Sequence, residues 1–173
     1  RKVLRNGIIV DVIENHTVPT VAIRGLVFAG DSSSPAGKPA VADLTARMLQ
    51  RGTKTRTKEE IGALLDGAGA TRTYVSNLFE ANLRLDGLSR DLPLLIDVLE
   101  DELENPAFSE EELAKAKSEL KTAILRNDDS TSFRAMMRLT QLAFPENHPY
   151  RYVGREAMTA SADATTAADL RAF

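Results

Sequence analysis

The chain contains no cysteine, only two histidines, and no apolar run long enough to suggest a membrane span. The missing cysteines exclude disulfides, a thiolate metal site and a cysteine nucleophile, and leave the compartment open. The histidines are His16, in a turn after a strand, and His148, in a loop before Pro149. Catalytic zinc needs three protein ligands, and nothing in the sequence brings these two together with a third. Charge is short on one-sided excess. Lys plus Arg total 22 against 25 for Asp plus Glu, a net charge of −3 that carries no nucleic-acid or anionic-membrane signature. Asp31-Ser32-Ser33-Ser34 reads as a loop, with no G-x-S-x-G elbow to present a nucleophilic serine. Gly67-Ala68-Gly69-Ala70 is not a phosphate loop, because no lysine follows and the context is helix to strand.

What the chain does have is apolar residues in regular patterns. At 173 residues and 43% apolar content, it can bury one good core, and one domain over residues 1–173 is the expectation. Ile8–Glu14 and Val18–Phe28 are rich in Ile and Val and separated by a polar turn, so they read as a hairpin or neighbouring strands. Residues Gly30–Pro39 read as a loop, and a helix follows from about Pro39 to Arg51. Thr57 with Glu60 forms a capping box that opens a second helix, ended by Gly67 and Gly69. Phe79, Ala81, Leu83 and Leu85 alternate with polar residues, the pattern of a sheet with one wet face, and pair with Thr71–Ser76 around Asn77. Helices are expected from Asp91 to Glu104 with Pro93 in the first turn, and from about Glu110 to Asn127 behind a Ser109/Glu112 box. Another starts at Thr131 or Ser132, with Met136 and Met137 read as core. Residues 144–156 read as loop, and a short helix begins near Thr166. This order implies an α+β domain of two layers, a mostly antiparallel sheet with helices packed on one face.

The most informative stretch is the first helix. Val41, Leu44, Met48 and Leu49 share one helical face, and Gly52 stands where a helix end wants a left-handed residue. Lys38–Thr53 resembles the motif helix of the pitrilysin/insulinase family of zinc peptidases, the inverzincins. The resemblance runs on through Leu4-Arg5-Asn6-Gly7-Ile8-Ile9-Val10, Glu14–Pro19, Phe28–Asp31, Leu65–Ala70, and His148-Pro149-Tyr150 with Val153-Gly154. In that family H-x-x-E-H puts two imidazoles and a general-base carboxylate on one face. Here the matching positions are Asp43, Ala46 and Arg47. An arginine stays protonated and offers no lone pair. Asp43 and Arg47 instead have the spacing and order of a favourable i, i+4 ion pair. Counting on by the family's spacing, the third ligand position falls at Thr122–Ile124, none of them a carboxylate. Glu119, Asp128 and Asp129 lie about a turn away and read as solvated helix charges.

The resemblance therefore implies a non-catalytic copy of the family's domain, with no catalytic, metal or cofactor residue in this chain and zinc expected only in a catalytic domain elsewhere. Family members arrange repeated copies of one domain as two halves closing around a chamber. The implied partners are a catalytic domain or subunit of the same family and a peptide or unfolded-protein substrate, with no nucleic acid and no membrane. The chain reads like the third copy in long bacterial members, or the first domain of an inactive subunit. The arginine and tyrosine that some inactive halves lend to the active site belong to the fourth copy and are not assigned to Arg151 and Tyr152. The family domain continues into a further strand and helix, so residues 1–173 read as an incomplete domain that self-associates when isolated. A scaffold of the same fold with no peptidase role is the other reading. The periplasm and the cytoplasm both stay open.

Overall fold

The computed structural model describes residues 1–146 and 148–173. Strands β3 (Thr20–Val27), β4 (Thr71–Ser76) and β5 (Ala81–Leu88) form an antiparallel sheet in the order β3-β5-β4. Ile23, Leu85 and Arg72 line up across it, as do Gly25, Leu83 and Tyr74. Side chains alternate along a strand, so these rows share one face, where Leu85 and Tyr74 are buried. The intervening row of Arg24, Arg84 and Thr73 is exposed. The one-sided burial foreseen from the alternation is what forms.

Two helices cover the buried face. Helix α2 (Lys58–Gly67) supplies Ile61 and Leu65, and α3 (Leu92–Glu104) supplies Leu95 and Val98, all clustered on Leu85. Gly87 makes the approach of α3 possible, since a Cβ there would stand 2.8 Å from Leu95 Cδ1. A second cluster is helical. Val41, Leu44 and Met48 of α1 (Val41–Leu49) pack on Leu113, Leu120 and Ile124 of α4 (Glu110–Asp128), closed by α6 (Arg155–Ala164) and α7 (Ala167–Ala172). Helix α5 (Thr131–Ala143) lies outside both clusters and has no buried residue, so Met136 and Met137 are not core.

Caps set most helix starts. Thr57 and Glu60 exchange both bonds of a capping box, and Pro93 sits in the first turn of α3. The Ser109 box is only half made. Ser109 Oγ accepts from the Glu112 N–H, but the Glu112 carboxylate turns to Arg51 and Lys115.

Two expectations are corrected. Residues 8–14 do not pair with 18–28. Strand β2 (Ile9–Val10) pairs with β1 (Lys2–Val3), and β3 pairs along its whole length with β5, from Thr20↔Leu88 to Val27↔Ala81. Alternation identifies a strand but not its partner, and β5 offers eight rungs. Helix α6 takes the last two residues of the stretch read as loop, Arg155 and Glu156, and runs on through a segment given no reading; its N-cap Gly154 makes no side-chain cap. Tertiary contacts hold it instead. Ala162 is fully buried, and the Ala40 N–H donates to Ser161 Oγ at 3.0 Å.

The loop leaving β3 rests directly on the β4–β5 turn. The Asp31 and Ser32 N–H groups donate to the Asn77 and Leu78 carbonyls, and a Cβ on Gly30 would come within 2.4 Å of Asn77 O and Glu80 N. Gly30→Ala should therefore destabilise the fold by about 1–3 kcal/mol in chemical denaturation, the usual cost of overpacking. Gly62→Ala, in the middle of α2 with nothing within 4 Å, should stabilise by about 0.5–1 kcal/mol.

Asp169 caps α7 and accepts from Lys38 Nζ at 2.6 Å. Lys38 and the Thr166 donors hold its carboxyl down at about 2, against 3.8 ordinarily. A lowered folded-state value stabilises above the unfolded value and loses that effect as pH falls towards 2. Acid titration of stability should show a slope between pH 3.8 and about 2 that Asp169→Asn reduces.

Candidate functional site

Helix α1 carries the motif positions. Its apolar side is fixed by the helical cluster, and Ala46 belongs to the buried set at 3% exposure. Asp43 and Arg47 emerge on the flank. Arg47 Nε donates to Asp43 Oδ1 at 2.8 Å and Nη2 approaches Oδ2 at 3.4 Å, a two-pronged pair along the helix. The guanidinium thus occupies both carboxylate oxygens.

The surroundings of this pair are polar. Asp31 accepts from Ser76 Oγ at 2.6 Å, at the end of strand β4. Burial pushes the Asp31 carboxyl up, the Ser76 bond opposes this, and the charge of Asp43 adds to the rise. One turn beyond Arg47, Arg51 bridges to α4. Its Nη1 meets Glu112 Oε2 at 2.9 Å and its Nη2 bonds Glu119. Arg51 is nearly buried, and the two carboxylates raise its basicity against the burial that would lower it.

The third-ligand positions are no better provided. Thr122 Oγ1 bonds back to Ser118 O at 2.9 Å, and Ile124 is buried in the helical cluster. Of the nearby carboxylates, Glu119 is held by Arg51, and Asp128 pairs with Arg155 at 3.2 Å. Reading all three as solvated helix charges therefore describes Asp129 and misses two ion pairs. His16 lies exposed beside Glu14, at 3.6 Å, while His148 stacks on Phe144 with ring centroids 4.5 Å apart. Among the described residues, no three His, Cys, Asp or Glu side chains group to hold a metal. The chemistry of the motif positions decides the fit. A methyl group, a guanidinium and a carboxylate saturated by that guanidinium do not make a zinc site.

The sequence model of the insulinase family, peptidase family M16, matches residues 10–152. The chain belongs to that family. An uncharacterized zinc protease of Rickettsia bellii is 27% identical over 116 residues, covering 65% of this chain and 27% of its own length. The non-peptidase homolog YmxG of Helicobacter pylori is 25% identical over 131 residues, 76% of this chain and 30% of its own. This M16 chain thus spans less than a third of either relative. Among solved structures, an inactive M16 peptidase domain from Pseudomonas fluorescens superposes with a TM-score of 0.80 at 22% identity, covering 90% of this chain and 38% of its own. A Helicobacter pylori protease gives 0.78 at 14% identity, with the same coverage. The ferredoxin protease FusC, solved as a mutant with Arabidopsis ferredoxin, gives 0.66 at 15%, covering 89% of this chain and 17% of its own. These likenesses show that the M16 fold is retained.

One polar group beside the site had no legible signal. Glu102, fully buried on α3, accepts from Tyr74 OH at 2.7 Å and is ion-paired to Arg72 of β4. Burial lowers the basicity of Arg72 and pushes the Tyr74 phenol up to about 12. Arg72 and Tyr74 alternate in β4 and look like ordinary strand residues, and only α3 packing turns them to one acid. Arg151, set aside above, is also structural. Its guanidinium bonds the Gln141 and Phe144 carbonyls at the end of α5.

The two pairs should differ sharply in consequence. Glu102→Ala leaves a buried guanidinium without its partner and should cost about 3–5 kcal/mol. Asp43→Ala removes a partly exposed helix pair and should cost about 0.5 kcal/mol or less. Urea denaturation of both variants checks the ordering.

Proposed function

We propose that residues 1–173 act as a non-catalytic domain of a pitrilysin/insulinase-type zinc metalloendopeptidase, shaping the substrate chamber and helping to assemble its two halves. The observation that carries this reading is the Asp43–Arg47 pair around buried Ala46, in the place of the family's ligands and base. In this reading Asp43, Ala46 and Arg47 have no catalytic role, and zinc and the general base belong to a catalytic domain in the same chain or in a partner subunit. Peptide or unfolded protein is the ligand class of the chamber. Support comes from the M16 fold around an unsuited donor set, and from relatives that include an inactive domain and a non-peptidase homolog.

Metal analysis of chain purified without a metal-affinity tag should find no stoichiometric zinc after mild chelation. Peptidase assays on unfolded substrates should stay at background. Water bound to no metal keeps its ordinary acidity, and Ala46 offers no base. Asp43→His with Ala46→Glu and Arg47→His should remain inactive, because the α4 positions still supply no carboxylate. Retained zinc, or activity that survives contaminating-protease controls, overturns the reading.

A scaffold without peptidase partner is the second reading, favoured by the name of the Helicobacter pylori homolog. An H-x-x-E-H helix in the same or the neighbouring reading frame separates the two.

A further inference from the structure

Two helices of this molecule turn apolar side chains to solvent. Helix α5 turns Met136, Leu139 and Leu142 to solvent at 55%, 59% and 70% exposure. Its only charges are Arg134 and Arg138, one turn apart on one flank of that stripe, and neither forms an ion pair among the described residues. Helix α3 turns Leu92, Ile96 and Leu103 outward at 38%, 45% and 47% exposure. It has no basic residue at all. Glu100 and Glu104 stand one turn apart on one flank of its stripe, also without an ion pair among the described residues.

The two faces are complements. Each presents an apolar stripe about two turns or more in length, bordered by a pair of like charges at the same spacing of about 6 Å along the axis. On a helical projection, the acids of α3 and the arginines of α5 lie on opposite-handed flanks. When the helices run in the same direction, face to face, the two rows of charge therefore meet. Antiparallel docking puts them on opposite sides. Within one molecule both stripes face solvent, with α3 packed on β5 and α5 packed on α4.

We infer that α5 of one copy of this chain docks in parallel on α3 of a second copy, joining their apolar stripes and pairing Arg134 and Arg138 with Glu100 and Glu104. The contact is heterologous, so one copy of a dimer keeps a free α3 face and the other a free α5 face, and association proceeds beyond the dimer unless the geometry closes a ring. Charge steers the pairing, and it weakens as salt rises. The inference is independent of what α1 does or does not bind.

Sedimentation velocity of the full chain over a concentration series, at low and high salt, tests it. The wild type should associate at low salt and less so at high salt. Arg134→Glu with Arg138→Glu should weaken association by at least about tenfold, as should Glu100→Lys with Glu104→Lys. Circular dichroism checks that both variants are folded. Mixing the two variants should restore association, because the acidic α5 of one then faces the basic α3 of the other. Three results overturn the inference. They are a wild type that stays monomeric at high concentration, association indifferent to either charge reversal (as pairing through a strand edge would be), and variants that stay apart when mixed.

Discussion

The contact of α1 with α4 is the constraint on which the remaining arrangement depends. Val41, Leu44 and Met48 meet Leu113, Ala116, Leu120 and Ile124, all nearly inaccessible to water. Burial of this kind contributes roughly 1.5–3 kcal/mol for each large side chain, more than any surface pair in the molecule can offer. It fixes the rotation of α1 about its axis. That rotation in turn decides that Ala46 goes inward and that Asp43 and Arg47 go to the flank, towards the Asp31 loop and the end of β4. The helices α6 and α7 close the same cluster from the other side, tied by Ser161 to the start of α1 and by Asp169 to Lys38.

Polar groups that could have served chemistry are used here for assembly. Arg51 joins the end of α1 to α4 through two carboxylates, one of which would otherwise have completed the cap of α4. Asp101 gathers Thr53 and Thr55 at 2.7 and 2.6 Å. Burial alone would raise its carboxyl, but the Thr55, Thr53 and Asn105 donors and the Arg56 charge hold it below the ordinary value. Glu102, next in sequence, does the same inward for Arg72 and Tyr74. Adjacent acids on α3 thus secure the loop after α1 and the edge strand β4 respectively.

The sequence made some of this visible and hid the rest for identifiable reasons. Local signals translated well. The Thr57/Glu60 box, Pro93, the turn at Asn77 and the left-handed Gly52, at φ +99°, are all where residue chemistry put them. So was the family, because its landmarks are short strings fixed by turns and by helix faces. Signals that depend on a distant partner did not translate. The partner of β3 is more than fifty residues away, and α6 has no cap of its own and is held by contacts from α1 and α4. Helix α5 looked like core because its periodicity is strong, yet periodicity reports amphipathicity and not which side has a neighbour. At the motif, the ion pair was legible from spacing alone, whereas the capture of Glu119 and Asp128 required the positions of Arg51 and Arg155.

The pairing of Asp43 with Arg47 around Ala46 also has a consequence for sequence change. A histidine in place of Arg47 strips the Asp43 carboxylate of both its donors and leaves it near Asp31, whose carboxyl is raised mainly by burial and further by the Asp43 charge. A glutamate in place of Ala46 forces a carboxylate into a site with almost no access to water. Each step towards the family's motif is uphill by itself, and each yields nothing until the others are present. The cost is unevenly divided between the two: slight at the partly exposed ion pair and large at buried Ala46, so the small inward methyl, more than the guanidinium, is what holds this helix face away from the motif.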